Sequence, residues 1–196
     1  SRGCGSLGNI LAGEVNPSGH LADTYAYDLT TAPSYYNFGD YTYSNFDGNN
    51  KYVYYQEGIY VGYRYYETAA ADGYIDYDTT VQFPFGYGLS YTNFDWEVEK
   101  TELGDIGGTI NIDVKVTNTG DVAGKDVVEL YYAAPYDPAE EIEKSSVVLG
   151  AFEKTNTLKP GESETVTLTM NVDDMASYDY KNNKCYVLSA GDYEFR

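Results

Sequence analysis

The chain has 196 residues, of which 12 are basic and 31 acidic, giving a formal charge of −19. Nucleic acid and anionic membranes both repel such a polyanion, and its lysines stand singly among acids, as in Glu140-Glu141-Ile142-Glu143-Lys144, so neither is expected as a partner. No apolar run approaches the roughly 20 residues of a membrane span, 42% hydrophobic content supports a real core, and the expected protein is soluble, cytoplasmic or secreted.

Leu7, Ile10 and Leu11 have the spacing of one or two helical turns ending at Gly13, and Asn16-Pro17-Ser18-Gly19 reads as a loop. From Thr30 to Asn50 no regular pattern is visible. The Tyr, Phe, Asn and Asp content of Tyr35 to Asn50 suits a sugar-binding rim or a contact with another domain. Ile59, Gly62, Tyr63 and Tyr66 fall at helical spacing, which predicts a short helix within Glu57 to Tyr66.

Composition changes near Asn93. Before it the chain is rich in Tyr, Gly, Asn and Asp; after it short alternating runs are separated by turn residues, which predicts a boundary between residues 1–92 and 93–196. Phe94 to Val98 opens the second unit. Ile110, Ile112, Val114 and Val116 alternate with Asn111, Asp113 and Lys115, the period of a strand with one wet face, and Asn118-Thr119-Gly120-Asp121 ends it. Further strands are expected at Val127 to Tyr132, at Val147 to Phe152, and at Val166 to Met170 after the Pro160-Gly161 turn. Cys185 to Leu188 and Tyr193 to Phe195 complete the series, with Gly191-Asp192 as the expected hairpin turn between them. About seven short strands over roughly a hundred residues match an immunoglobulin or fibronectin type III-like β-sandwich. The fold class is therefore mainly β, a sandwich preceded by a partial α/β segment and a long Tyr-rich connector.

Chemistry-bearing residues are few. Cys4 and Cys185 are too few for a four-cysteine zinc site, and His20 is the single histidine, so a histidine-rich metal centre is excluded and no cofactor is expected. Asp173-Asp174 and Glu140-Glu141 lack EF-hand spacing and read as solvated acidic turns. Glu57 lies among aromatic residues but reads as structural, bonded to backbone or to Arg64, and Arg64 among Tyr63, Tyr65 and Tyr66 reads as a link between the two units. Gly86 and Gly88 read as a tight turn, since no lysine follows in phosphate-loop fashion. The 24 tyrosines against one tryptophan and seven phenylalanines suit an interior or a docking face, with each ring buried and its hydroxyl bonded.

Three stretches, Gly13-Glu14-Val15-Asn16-Pro17-Ser18-Gly19-His20-Leu21 with Asp23-Thr24, Glu57-Gly58-Ile59-Tyr60-Val61-Gly62-Tyr63-Arg64-Tyr65-Tyr66, and Phe83-Pro84-Phe85-Gly86-Tyr87-Gly88-Leu89-Ser90-Tyr91-Thr92, resemble in order and spacing the family 3 glycoside hydrolases of β-glucosidase type. The second half resembles that family's fibronectin type III-like domain through Val116-Thr117-Asn118-Thr119-Gly120, Val127-Val128-Glu129-Leu130-Tyr131, Leu149-Gly150-Ala151-Phe152 and Gly191-Asp192-Tyr193. The resemblance implies a retaining exo-hydrolase of terminal β-linked glucose, working with two carboxyl groups about 5 to 5.5 Å apart. In that family the nucleophile is an Asp of a TIM-like barrel and the acid/base is usually a Glu of the α/β sandwich domain ahead of the Asn-Pro-Ser-Gly stretch. A barrel of about 250 residues does not fit in this chain, so the resemblance carries over no catalytic residue and leaves substrate-binding residues open, and no metal ligand is expected. The partners it implies are the remaining catalytic domains, the TIM-like barrel and the rest of the α/β domain, and an oligosaccharide. Some members place the barrel after the fibronectin-like domain, and the run from Asp23 to Pro33 is similar to that branch.

Overall fold

The computed structural model describes residues 2–37, 41–43 and 51–196. The chain starts with α1 (Arg2–Leu11), on which Leu7, Ile10 and Leu11 share a face, and Gly13 at φ 75° supplies the left-handed residue that ends it. Short strands β1 (Tyr25–Ala26), β2 (Tyr41–Thr42) and β3 (Lys51–Tyr52) follow, with single helical turns at Leu29–Thr31 and Tyr35–Asn37 between the first two. The Asp28 carboxylate accepts the Thr30 amide and caps the first of those turns. Residues 38–40 and 44–50 of the Thr30 to Asn50 stretch, with part of the expected sugar-binding rim, lie outside the described residues.

The expected helix within residues 57–66 forms later than its spacing indicates, as α2 (Tyr63–Ala71). Gly62 explains the shift. It sits at φ 56° and ψ −136°, a conformation no helix interior allows, so the apolar residues before it lie outside the helix. Beyond Tyr66 the run Ala69-Ala70-Ala71 has the strongest helix propensity in the segment and carries α2 onward. The one-turn α3 (Tyr77–Thr80), capped by Asp76, leads into β4 (Val81–Phe83), which pairs antiparallel with β1.

The sandwich comprises β5 (Phe94–Glu102), β6 (Thr109–Asn118), β7 (Val127–Ala133), β8 (Val148–Lys154), β9 (Ser163–Asn171), β10 (Ser177–Asp179), β11 (Cys185–Val187) and β12 (Glu194–Phe195). One sheet has the order β5-β6-β9, the other β12-β7-β8. Alternation in sequence becomes alternation in burial: Ile110, Ile112, Val114 and Val116 of β6 and Val166, Leu168 and Met170 of β9 face Val128, Leu130 and Tyr132 of β7 in a single core. Each such fully buried aliphatic side chain contributes about 1.5 to 3 kcal/mol.

One expected pairing is corrected. Gly191-Asp192 does not turn a hairpin between the last two strands, because β11 pairs with β10, whereas β12 pairs with β7 in the main sheet. Strand β10 has no alternating pattern, since its Asp179 is fully buried. That carboxylate accepts from the backbone amides of Lys181, Asn182 and Asn183 and so builds the turn joining β10 to β11.

Candidate functional site: the seam between connector and sandwich

The stretches at 13–24 and 83–92 meet on the sandwich. Leu21 donates its amide to the Tyr87 carbonyl, the Gly86 amide donates to the Leu21 carbonyl, and His20 bridges to Gly88. Gly88 stands so close to the His20 ring that no Cβ fits there, and Gly86, at φ 77°, lies where a side chain would collide with the Glu129 carboxylate of β7. Gly86 lies in the expected tight turn, closed by the Tyr87 amide on the Pro84 carbonyl, whereas Gly88 lies past it and serves the close approach of His20.

Asn16 is the pin of this junction. Its Oδ1 accepts from the Tyr91 amide at 2.8 Å and from Ser90 Oγ at 3.1 Å, while its Nδ2 donates to the Ala123 carbonyl in the sandwich loop at 3.1 Å. Tyr91 in turn donates its hydroxyl to the Ile10 carbonyl, tying α1 to the same point. Gly124 leaves the space for the Asn16 amide, which would lie 2.7 Å from a Cβ. Lys154 of β8 donates to the Ser18 carbonyl, and His20 Nε2 lies 3.9 Å from an Asp126 carboxylate oxygen whose partner oxygen accepts from the Trp96 indole.

Beneath the pin, Asn118 is fully buried and saturated. Its amide nitrogen donates to the Val122 and Leu158 carbonyls, and its oxygen accepts from Thr92 Oγ1 at 2.6 Å and from the Gly120 amide at 3.1 Å. The last residue of β6 thus locks the connector's end, the turn after β6 and the loop before β9 together.

The stretch at 57–66 joins the outer face of the second sheet. Tyr63 packs its ring against Phe85 and Tyr131, with centroids 4.9 and 6.0 Å away, and its hydroxyl accepts the Leu149 amide of β8 at 2.9 Å. One turn on, Thr68 Oγ1 accepts the Ser146 amide at 2.9 Å. Arg64 Nε donates to the hydroxyl of its neighbour Tyr63, a bond within the connector and not the link between the units expected of it. Glu57 accepts from Asn37 Nδ2, a partner other than the backbone or Arg64 expected of it. Tyr131 donates to Glu129 at 2.6 Å, and burial together with that carboxylate raises its phenol well above the ordinary value. Tyr77 is raised in the same way by burial and Glu67.

Between this contact and the β10–β11 hairpin lies a cleft of about 560 Å³, whose wall includes Arg64, Tyr132, Glu143, Tyr178, Tyr180 and Tyr186. Tyr178 and Tyr186 meet edge to face at 5.2 Å and stay largely exposed. At its end Lys144 is buried, with Nζ donating to the Pro135 carbonyl, Glu140 and Ser189. The bond from Lys144, and next that from Ser189, holds the Glu140 carboxyl below its ordinary value. Asp173 and Asp174 accept from the Gly107 amide and the Asn171 side chain. Of the expected sugar-rim tyrosines, Tyr41 and Tyr43 lie beside Tyr52 at 5.3 and 5.0 Å. Among the described residues no group of three or more metal-binding side chains gathers, and no helix is long and apolar enough to cross a membrane.

The paired three-stranded sheets with one shared core define a fibronectin type III-like sandwich, and residues 126–196 match the family described as fibronectin type III-like domain. Over 95% of its length the chain is 41% identical to β-glucosidase A of Butyrivibrio fibrisolvens, of which it spans 22%. A β-glucosidase structure from Paenibacillus barengoltzii superposes with a TM-score of 0.81 at 45% identity over 96% of the chain and 19% of that protein. The β-glucosidase of glycoside hydrolase family 3 from Bifidobacterium adolescentis gives a TM-score of 0.77 at 32% identity over 96% of the chain and 25% of that protein. The chain thus spans a fifth to a quarter of the length of these relatives. It corresponds in sequence and fold to one segment of family 3 β-glucosidases, the segment that includes their fibronectin type III-like domain.

Proposed function

We propose that this chain is the non-catalytic C-terminal portion of a retaining family 3 β-glucosidase, a scaffold for the domains that hydrolyse terminal β-linked glucosyl residues. Residues 1–92 are the end of the α/β sandwich domain with its connector, and residues 93–196 are the fibronectin type III-like domain. The partners are the TIM-like barrel and the rest of the α/β domain, which carry the nucleophilic Asp and the acid/base Glu.

The observation that carries this reading is that the stretches resembling the hydrolases are spent on the seam. Asn16, Tyr63 and Gly86 act in contacts between connector and sandwich, and Gly88 holds two parts of the connector together through His20. The connector also leaves Leu7, Leu11, Tyr27, Leu29, Tyr36 and Tyr55 exposed, apolar area of the kind that docks on another domain. The test is turnover of an aryl β-glucoside. The chain alone should give none, and addition of the separately expressed remaining domains should restore it. Turnover by the chain alone that disappears on replacing one carboxylate within residues 1–196 contradicts the reading.

A carbohydrate-binding module is the second reading, favoured by the exposed Tyr178–Tyr186 pair beside the cleft and by the Tyr41, Tyr43 and Tyr52 cluster. Saturable glucan binding by the chain alone, lost in Tyr43→Ala or Tyr186→Ala, would favour it over the scaffold.

A further inference from the structure

The cleft beside α2 gathers two groups of opposite charge that the fold does not use. Arg64 lines it from the first turn of α2, anchored by the bond from its Nε to the Tyr63 hydroxyl, which is itself fixed by the Leu149 amide. That is the one hydrogen bond of Arg64 among the described residues, and no carboxylate lies within ion-pair distance of it. The two terminal nitrogens of this half-buried guanidinium therefore keep their N–H donors unspent. Glu143, in the loop leading to β8, also lines the cleft. Its carboxylate lies over Gly58, where a Cβ would be 3.7 Å from Oε2, and it makes no hydrogen bond or ion pair among the described residues.

The rest of the wall is aromatic. Asp179 is buried and holds the β10–β11 turn, which leaves its neighbours Tyr178 and Tyr180 half exposed, and Tyr186, in register with Tyr178 across the hairpin, is 74% exposed. Rings this exposed add little to the core, yet they offer an apolar face beside polar groups. The charges decide what that face can take. An anionic ligand would meet Glu143, Asp174 and a chain of net charge −19, and a cationic one would meet Arg64 and the buried ammonium of Lys144. A neutral polyol meets neither penalty, because each hydroxyl can accept from a guanidinium and donate to a carboxylate while the C–H face of a pyranose ring lies on tyrosine. The volume of about 560 Å³ falls within the roughly 300 to 1,000 Å³ of small-molecule sites.

We propose that this cleft binds a neutral oligosaccharide, with one pyranose ring on Tyr178 and Tyr186 and its hydroxyls bonded to Arg64 and Glu143. The inference rests on the carbohydrate-binding reading above and gives it one site, the cleft, in place of the Tyr41, Tyr43 and Tyr52 cluster. It also gives Arg64 a task that its single bond to Tyr63 does not. Because Arg64 belongs to the connector and Tyr178, Tyr186 and Glu143 to the sandwich, the bound sugar bridges the two units.

The test is calorimetric titration of the whole chain, at mildly acidic pH, with three trimers of equal length: neutral cellotriose, anionic trigalacturonate and the cationic trimer of glucosamine. Cellotriose should bind saturably, and the two charged trimers at least about tenfold more weakly. Arg64→Met and Tyr186→Ala should each weaken cellotriose binding by about tenfold or more, with the β6 amides as protected as before. Arg64→Lys should not rescue it, since an ammonium lacks the planar fork. Cellotriose binding that survives either Arg64→Met or Tyr186→Ala overturns the proposal, as does tighter binding of a charged trimer. If the surviving binding is lost in Tyr43→Ala, the carbohydrate reading stands at the other tyrosine cluster and only the cleft is refuted. Absence of saturable binding by any trimer refutes both and leaves the scaffold reading untouched, because no readout involves turnover.

Discussion

The connector and the sandwich are held together by different physics. In the sandwich, apolar side chains at every second position close on one another, and thirteen buried residues form one cluster. In the described part of the connector only Tyr66, Ala69 and Val81 are buried apolar side chains, and order comes from single hydrogen bonds and ring contacts, several of which reach the sandwich. The sandwich brings its own core, whereas the connector depends on its neighbours. A change inside the sandwich should therefore lower the stability of everything, and a change at the seam should release the connector alone.

The largest effect is expected at Asn118. Replacing it with Ala leaves two carbonyls, the Thr92 hydroxyl and the Gly120 amide without their partner in a dry site, at a cost of about 3 to 4 kcal/mol. Urea denaturation followed through Trp96 should show a lower midpoint for the whole chain. Lys144→Met comes next, at about 2 to 3 kcal/mol, because three bonds to one buried ammonium are lost. The loss should again be global, which a single shifted transition would show.

Asn16→Ala sharpens the contrast. It removes three bonds from a partly exposed site, about 1 to 2 kcal/mol, and should leave the β6 amides as protected as before while those of Leu21 and Tyr91 exchange faster. Acid should act on the sandwich through Glu140 and Asp179, both held below their ordinary values, the first by the bond from Lys144 and the second by the backbone amides of Asn182 and Asn183. The folded chain keeps these groups ionised where the unfolded chain binds protons, so their contribution is full above the ordinary values of 4.5 and 3.8 and disappears as pH falls below them. Circular dichroism against pH should show stability falling there, with the Glu140 part reduced in Lys144→Met. The smallest effect is expected for Tyr186→Ala, at 74% exposure, which should change stability by less than about 0.5 kcal/mol.

The same division decided what the sequence could reveal. The sandwich strands were legible because burial on one face writes itself as alternation, as at Ile110 to Val116. Pairing was less so: Gly191-Asp192 has hairpin chemistry, but local turn preference carries no information about which distant strand offers a ladder, and β7 takes β12. The helix starts later than periodicity indicates because Gly62 adopts a positive φ and the alanine run lies after it. In the seam, the turn at Gly86 is legible from residue type. The pin at Asn16 was not, since its partners lie at residues 90, 91 and 123, too far along the chain for any local pattern to register. The cleft wall at Tyr178 and Tyr186 was hidden for the same reason, being built by a hairpin that depends on the buried Asp179.

Whether the connector is folded onto the sandwich is tested most directly by native-state hydrogen exchange at two amides, Tyr91, which donates to Asn16, and Leu149, which donates to the Tyr63 hydroxyl. The account predicts that both are protected in the chain by itself, and that Tyr63→Phe, which removes only the accepting oxygen, speeds exchange at Leu149 while Val114 in β6 is unaffected. Exchange of the Tyr91 amide at the rate of an unstructured peptide, beside a fully protected Val114, would contradict it.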